Sequence, residues 1–168
     1  MKVVPLRGNL DTRLHKLRQG EVDAIIVAEA GLLRMGLSGI KYERLPYCVM
    51  LPAPGQGALG CEVRRGELES VVARINDHKS WIETQAERAL LQRLRGGSRT
   101  PIGALARAGS DGSLYLEAMV CYPDGRNRLR FFATGSANEP IELGKYVADE
   151  LLKAGADRII ATLEGRDV

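Results

Sequence analysis

Glu87-Arg88-Ala89-Leu90-Leu91-Gln92-Arg93-Leu94-Arg95-Gly96-Gly97-Ser98-Arg99-Thr100-Pro101-Ile102-Gly103 is the stretch on which the organisation of this chain turns. Ile82, Ala86, Ala89, Leu90 and Leu94 recur at helical spacing, so residues 81–95 are expected to form an amphipathic helix with one apolar face. That helix runs into Gly96-Gly97, whose backbone reaches conformations closed to other residues, and the hinge displays one hydroxyl side chain, Ser98. Pro101 then forbids continuation as a helix, and the texture of the sequence changes.

Downstream, residues 102–108, 113–122 and 128–135 read as three strands. They are separated by Ser110-Asp111-Gly112 and Pro123-Asp124-Gly125, both of which are turn signals. Pro140 opens a helix whose apolar residues are Leu143, Val147 and Leu151, and Gly155 follows as a C-cap. Residues 157–163 are apolar and fit either a strand or a helix. Three antiparallel strands with helices on one face make a small α+β module over residues 96–168.

Upstream, residues 1–95 alternate differently. Residues 2–6 read as a short strand, and Asn9 or Asp11 can cap a helix over 11–19 that ends at Gly20. Residues 23–28 form a continuous apolar run of strand length, and 29–35 a second helix. This β-α-β-α order indicates an α/β unit. Residues 47–51 and 58–63 read as further strands around a stiff connection rich in glycine and proline, and 67–77 as a helix.

Bulk properties narrow the function. The chain has 168 residues, 45% hydrophobic and 27% charged, so it can bury a core. No run of 18 apolar residues occurs, which argues against a membrane span. A formal charge of +3 is too small to point to nucleic acid. Cys48, Cys61 and Cys121 form no CxxC pair and are odd in number. They fit a reducing compartment and are expected as buried thiols. Two histidines, His15 and His78, argue against a zinc site or a histidine-based triad, and no metal site is expected.

Three motifs carry candidate chemistry. Gly55-Gln56-Gly57-Ala58-Leu59-Gly60 fits GxGxxG, but a dinucleotide site needs a helix starting inside the motif, and Gly60-Cys61-Glu62-Val63 alternates like a strand. A tight crossover is the plainer reading. Arg7-Gly8-Asn9-Leu10-Asp11-Thr12-Arg13-Leu14 puts two guanidinium groups around a helix start, where amides and arginines both suit a carboxylate. An ordinary capped surface helix is the alternative. Ser98 lacks the second glycine of GxSxG and has no nearby histidine, which leaves nucleophilic serine chemistry without support.

The segment 87–103 also closely resembles the signature of porphobilinogen deaminases, or hydroxymethylbilane synthases. In that family the position of Ser98 is a cysteine whose thioether carries a dipyrromethane primer. Residues 7–14 resemble the family's RGNxxTR motif and 28–34 its AxAGLxR stretch. Residues 51–57 resemble its LPAxGQG segment.

The resemblance implies a transferase of tetrapyrrole and heme biosynthesis that joins four porphobilinogen units with release of ammonia. It implies porphobilinogen and linear pyrrole intermediates as ligands, and a cytoplasmic setting. Arg7, Arg13 and Arg34 would hold acetate and propionate groups, Gln56 would hydrogen-bond a pyrrole, and Ser98 would mark the attachment position.

The resemblance further implies that residues 1–50 are the back half of a periplasmic-binding-protein-like α/β domain, 51–95 a return segment of another domain, and 96–165 the whole third domain. The family's catalytic aspartate belongs to an SLKD-like motif with no counterpart here, so no catalytic residue is assigned. The chain is therefore expected to be an incomplete or inactive form. The alternatives are a non-catalytic pyrrole-binding homologue, or an assembly partner of a separate N-terminal half.

Overall fold

The computed structural model describes residues 2–37, 39–97 and 100–163, with the side chain of Leu163 left aside. The chain divides into two compact units, Met1–Arg44 and Leu45–Val168.

The first unit contains two helices. Asn9 starts α1 (Leu10–Arg18), its Oδ1 accepting from the Thr12 amide at 2.9 Å and the Thr12 hydroxyl at 2.8 Å. The second helix, α2, spans Glu29–Arg34. Leu14 and Leu32 are the buried apolar residues, and Gly31 lets the helices meet: a methyl there would stand 3.2 Å from Leu10 Cδ2. Glu29 accepts from Tyr42 Oη at 3.1 Å and from Arg44 Nε, which ties the end of the unit back to α2.

The second unit holds the sheet. After α3 (Glu69–Val72) and a 3-10 turn (Ala73–Ile75), Asp77 caps the long helix α4 (His78–Arg93), accepting from the Ser80 amide at 2.7 Å. Then come β1 (Ile102–Ala108), β2 (Ser113–Val120), β3 (Leu129–Ser136), α5 (Pro140–Lys153) and α6 (Ala156–Leu163). The strands form an antiparallel meander in the order β1-β2-β3, with Ala104 opposite Ala118 and Ala118 opposite Phe131.

Strict alternation along β2 puts Leu114, Leu116, Ala118 and Val120 in the core, each with no exposed surface. Helices α4 and α5 pack against the sheet and against one another, contributing Ile82, Ala86, Leu90, Leu143, Val147 and Leu151. Gly144 permits this crossing, since a methyl at that position would meet the Ala86 carbonyl and the Ala89 side chain. The expected α+β module is thus present, and its last apolar run is the helix α6 rather than a strand.

The four strands expected upstream are a correction. Residues 2–6, 23–28, 47–51 and 58–63 take no part in any sheet among the described residues. Val3 and Leu59, at 84% and 80% exposure, show the consequence. A β-propensive run becomes a strand only when a neighbour offers its amides and carbonyls, and no described segment does so. The helix expected over 67–77 is reduced to α3 and its 3-10 continuation.

The cysteines also depart from expectation: Cys48 and Cys61 are exposed and Cys121 is half-buried. No helix among the described residues is long and apolar enough to cross a membrane.

Candidate functional site

Strand β1 lies at an edge of the sheet, so every second amide would face outward unpaired. Three of these amides are satisfied from outside the ladder. Ala104 N–H donates to the Pro52 carbonyl at 2.9 Å, Ala106 N–H to Glu87 Oε1 at 2.8 Å, and Ala108 N–H to Glu83 Oε1 at 3.0 Å. The edge is thereby covered by α4 and by the chain at Pro52. Gly103 assists, because a Cβ there would fall 2.8 Å from Leu51 Cβ.

Glu87 is the buried charged residue of this arrangement, 6% exposed. Its second oxygen, Oε2, accepts from the Gly55 amide at 2.6 Å. Burial pushes its carboxyl above the ordinary range. The two amides pull it back down in part, and the like charge of Glu83 one turn away adds to the rise.

The loop it grips turns tightly: Gln56 N–H donates to the Ala53 carbonyl, Ala58 N–H to the Gly55 carbonyl, and Gly55 and Gly57 take φ of 72° and 85°. Those glycines suit a crossover, and no helix begins in the GxGxxG match. Gln56 is exposed.

The hinge after α4 closes in a Schellman arrangement. Gly96 N–H donates to the Leu91 carbonyl and Arg95 N–H to the Gln92 carbonyl, both at 3.0 Å. The left-handed residue is Arg95, with φ of 54°, a position where glycine is the usual occupant. Gly96 is held for a different reason: a side chain there would strike Ile102 and Leu91. Gly97 N–H donates to Thr100 Oγ1 at 2.8 Å, and Thr100 N–H returns to the Gly97 carbonyl at 3.0 Å. Ser98 and Arg99, between them in sequence, lie outside the described residues.

On the sheet face opposite the helices, Arg130 organises the segment that precedes the loop. Its Nε donates to Glu117 Oε1 at 2.7 Å, Nη1 to the Cys48 carbonyl at 2.8 Å and Nη2 to the Tyr47 carbonyl at 3.0 Å. The Arg107 guanidinium lies over the Tyr47 ring, 4.9 Å from its centroid.

In the first unit, Arg7 is exposed just ahead of α1, and Arg13 is half-buried in its first turns, its Nε donating to the Gly8 carbonyl at 2.8 Å. Arg34 is exposed in the last turn of α2. All three expected arginines therefore belong to one small unit built on α1 and α2. Gln56 belongs to the second unit.

Glu87 and Arg130 carry contacts that no sequence motif marks. A signal for the first existed: Glu87 flanks the apolar stripe through Ala86 and Leu90, where a carboxylate must find donors. Nothing in the local pattern distinguishes Arg130 from the chain's other arginines. Among the described residues no group of three or more His, Cys, Asp or Glu side chains is placed to hold a metal ion.

Comparison with known proteins gives two matches in tandem. Residues 1–71 match the family model described as "Porphobilinogen deaminase, dipyromethane cofactor binding domain". Residues 81–153 match that of "Porphobilinogen deaminase, C-terminal domain".

The chain is 46% identical over 163 residues to the porphobilinogen deaminase of Desulforudis audaxviator, covering 96% of this chain and 52% of that one. It is 44% identical over 163 residues to that of a Roseiflexus species, covering 96% and 53%. With that of Moorella thermoacetica it shares 40% over 168 residues, covering 99% and 53%. The chain thus spans about half the length of the curated relatives it matches.

Proposed function

Because this chain belongs to the porphobilinogen deaminase family, we propose that it serves tetrapyrrole synthesis as the part of such a transferase that binds the growing pyrrole chain. The tandem match of the cofactor-binding and C-terminal models carries this reading. In it, Arg7, Arg13 and Arg34 take the ligand's acetate and propionate groups. Guanidinium forks match carboxylates in geometry and stay charged at any physiological pH. Gln56, exposed on its clamped loop, offers an amide to a pyrrole. Residues 1–50 then form the back half of a periplasmic-binding-protein-like domain, 51–95 a return segment, and 96–168 the domain bearing the attachment position, all in a cytoplasmic protein.

The residues suit the carboxylates of a dipyrromethane group but not its covalent tether. A thioether requires a thiolate, and position 98 carries a hydroxyl, which is a far poorer nucleophile without an activating base. We therefore assign binding, and no bond-forming step, to this chain.

Calorimetric titration with porphobilinogen tests the proposal. Saturable binding is expected for the intact chain, weakened at least tenfold in Arg7→Ala, Arg13→Ala and Arg34→Ala. Absence of binding, or binding indifferent to all three substitutions, would refute it.

A second reading rests on the segments outside any sheet among the described residues and their exposed Val3, Ile26 and Leu59. Such runs suit a polypeptide partner that supplies strands, in the manner of a separate N-terminal half. Turnover appearing only on mixing the two would favour it.

A further inference from the structure

We propose that Glu87 is a positioning residue, whose carboxylate locks the loop 52–57 onto the edge of β1 and so sets where the Gln56 amide stands. This rests on the reading of Gln56 as a ligand contact, although the lock itself does not.

The geometry is specific. One carboxylate joins two segments remote in sequence, with Oε2 on the Gly55 amide at 2.6 Å and Oε1 on the Ala106 amide at 2.8 Å. Two residues back along the strand and three back along the loop, Ala104 N–H meets the Pro52 carbonyl at 2.9 Å, so the loop is pinned at two points. The Gln56 backbone is itself tied into the turn, its N–H donating to the Ala53 carbonyl at 2.9 Å while Ala58 N–H donates to the Gly55 carbonyl at 3.2 Å.

A plain core residue in this place would be apolar, like its neighbours Ala86 and Leu90, because removing a carboxylate from water costs several kcal/mol unless its bonds repay it. The two bonds made are to backbone amides that no other described group satisfies, and both lie at the loop and at the edge strand. Glu83, the like charge that faces Glu87 from the same helix, is itself occupied with the Ala108 amide at 3.0 Å.

The test uses the full chain and the volume-conserving Glu87→Gln, which can accept one amide bond but must turn an NH2 toward the other. In the wild type, the Gly55 and Ala106 amide resonances should shift together through one common transition, at a pH above the usual carboxylate range, and Glu87→Gln should abolish both shifts. Hydrogen exchange at Gly55, Gln56 and Ala58 should accelerate at least tenfold in the variant, while exchange within α5 stays unchanged.

Independent titration of the two amides, unchanged loop exchange, or equal loss of protection in α5 would each overturn the proposal. The last would mark Glu87 as a general core residue. Porphobilinogen titration separates the two readings. If the wild type fails to bind, the function proposed above falls and the lock stands or falls on exchange alone. If the wild type binds and Glu87→Gln binds equally well despite a loosened loop, the positioning role is refuted.

Discussion

Arg130 and Glu117 meet diagonally across β3 and β2, two residues out of register, with Nε and Oε1 at 2.7 Å. Their side chains are 26% and 16% exposed, sheltered enough for the pair to hold its geometry. The pair fixes the plane of the guanidinium, and the remaining fork takes the carbonyls of Tyr47 and Cys48, more than eighty residues away in sequence. A surface ion pair has thereby become the anchor of the segment leading to the loop 52–57.

Arg130→Lys should fail as a conservative replacement, because a single ammonium cannot serve the carboxylate and two divergent carbonyls together. A loss of about 1–2 kcal/mol is expected from the vacated charged hydrogen bonds, tempered by partial exposure. Urea denaturation of the two proteins side by side measures it, and equal stability would show that the carbonyl contacts contribute nothing.

Gly144→Ala should be among the most damaging single methyl additions in the chain. The new Cβ would meet backbone atoms of α4 at Ala86 and Leu90, and backbone cannot rotate away as a side chain can. Overpacking of this kind costs about 1–3 kcal/mol or more, read as a lowered Tm. An unchanged Tm would mean that the α4–α5 crossing is looser than described.

Arg95→Gly should stabilise the chain by roughly 1 kcal/mol, since the left-handed backbone at φ 54° burdens an L-residue and not glycine. Thermal unfolding would report it. A decrease in stability would indicate that the Arg95 side chain makes a contribution larger than its backbone strain.

Stability should fall with rising pH on account of Glu87. Burial raises its folded value above the usual 4.5, so in that window the folded chain binds more protons than the unfolded one. The contribution is greatest below the unfolded value and is lost as pH climbs through the folded one. Glu29, Asp77, Asp111 and Asp124 are shifted the opposite way by hydrogen bonds with Arg44, Ser80, Ser113 and Arg126, and their contribution is common to the wild type and Glu87→Gln. Denaturation midpoints measured side by side between pH 4 and 7 should therefore show the wild type losing stability relative to Glu87→Gln as pH rises. A difference that does not change with pH would assign the effect elsewhere.

Ser98 should remain unmodified. Intact mass after incubation with preuroporphyrinogen is expected to show no added dipyrromethane on the wild type and a covalent addition on Ser98→Cys, following the difference in nucleophilicity between hydroxyl and thiol. An adduct mapped to Ser98 itself would contradict this.

Local signals suffice at caps and hairpin turns, where the bonding partners lie a few residues away. Asn9 names its own helix start because its side chain bonds three residues on, and Asp111-Gly112 closes a hairpin with its immediate neighbours. The stripe from Ile82 to Leu94 needs only an apolar surface somewhere, and the sheet supplies it. The runs at 2–6, 23–28, 47–51 and 58–63 misled, because strandedness depends on a second strand that no local pattern guarantees.

By itself, then, the sequence determined the meander, its covering helices and the family, since periodicity, turn chemistry and motif spacing are properties of consecutive residues. Only the tertiary structure decided that Glu87 would be spent on Gly55 and Ala106, and Arg130 on Tyr47 and Cys48. Those assignments depend on which distant amide or carbonyl is left without a partner when the sheet edge and the loop come together. That is settled by packing in three dimensions, not by spacing along the chain.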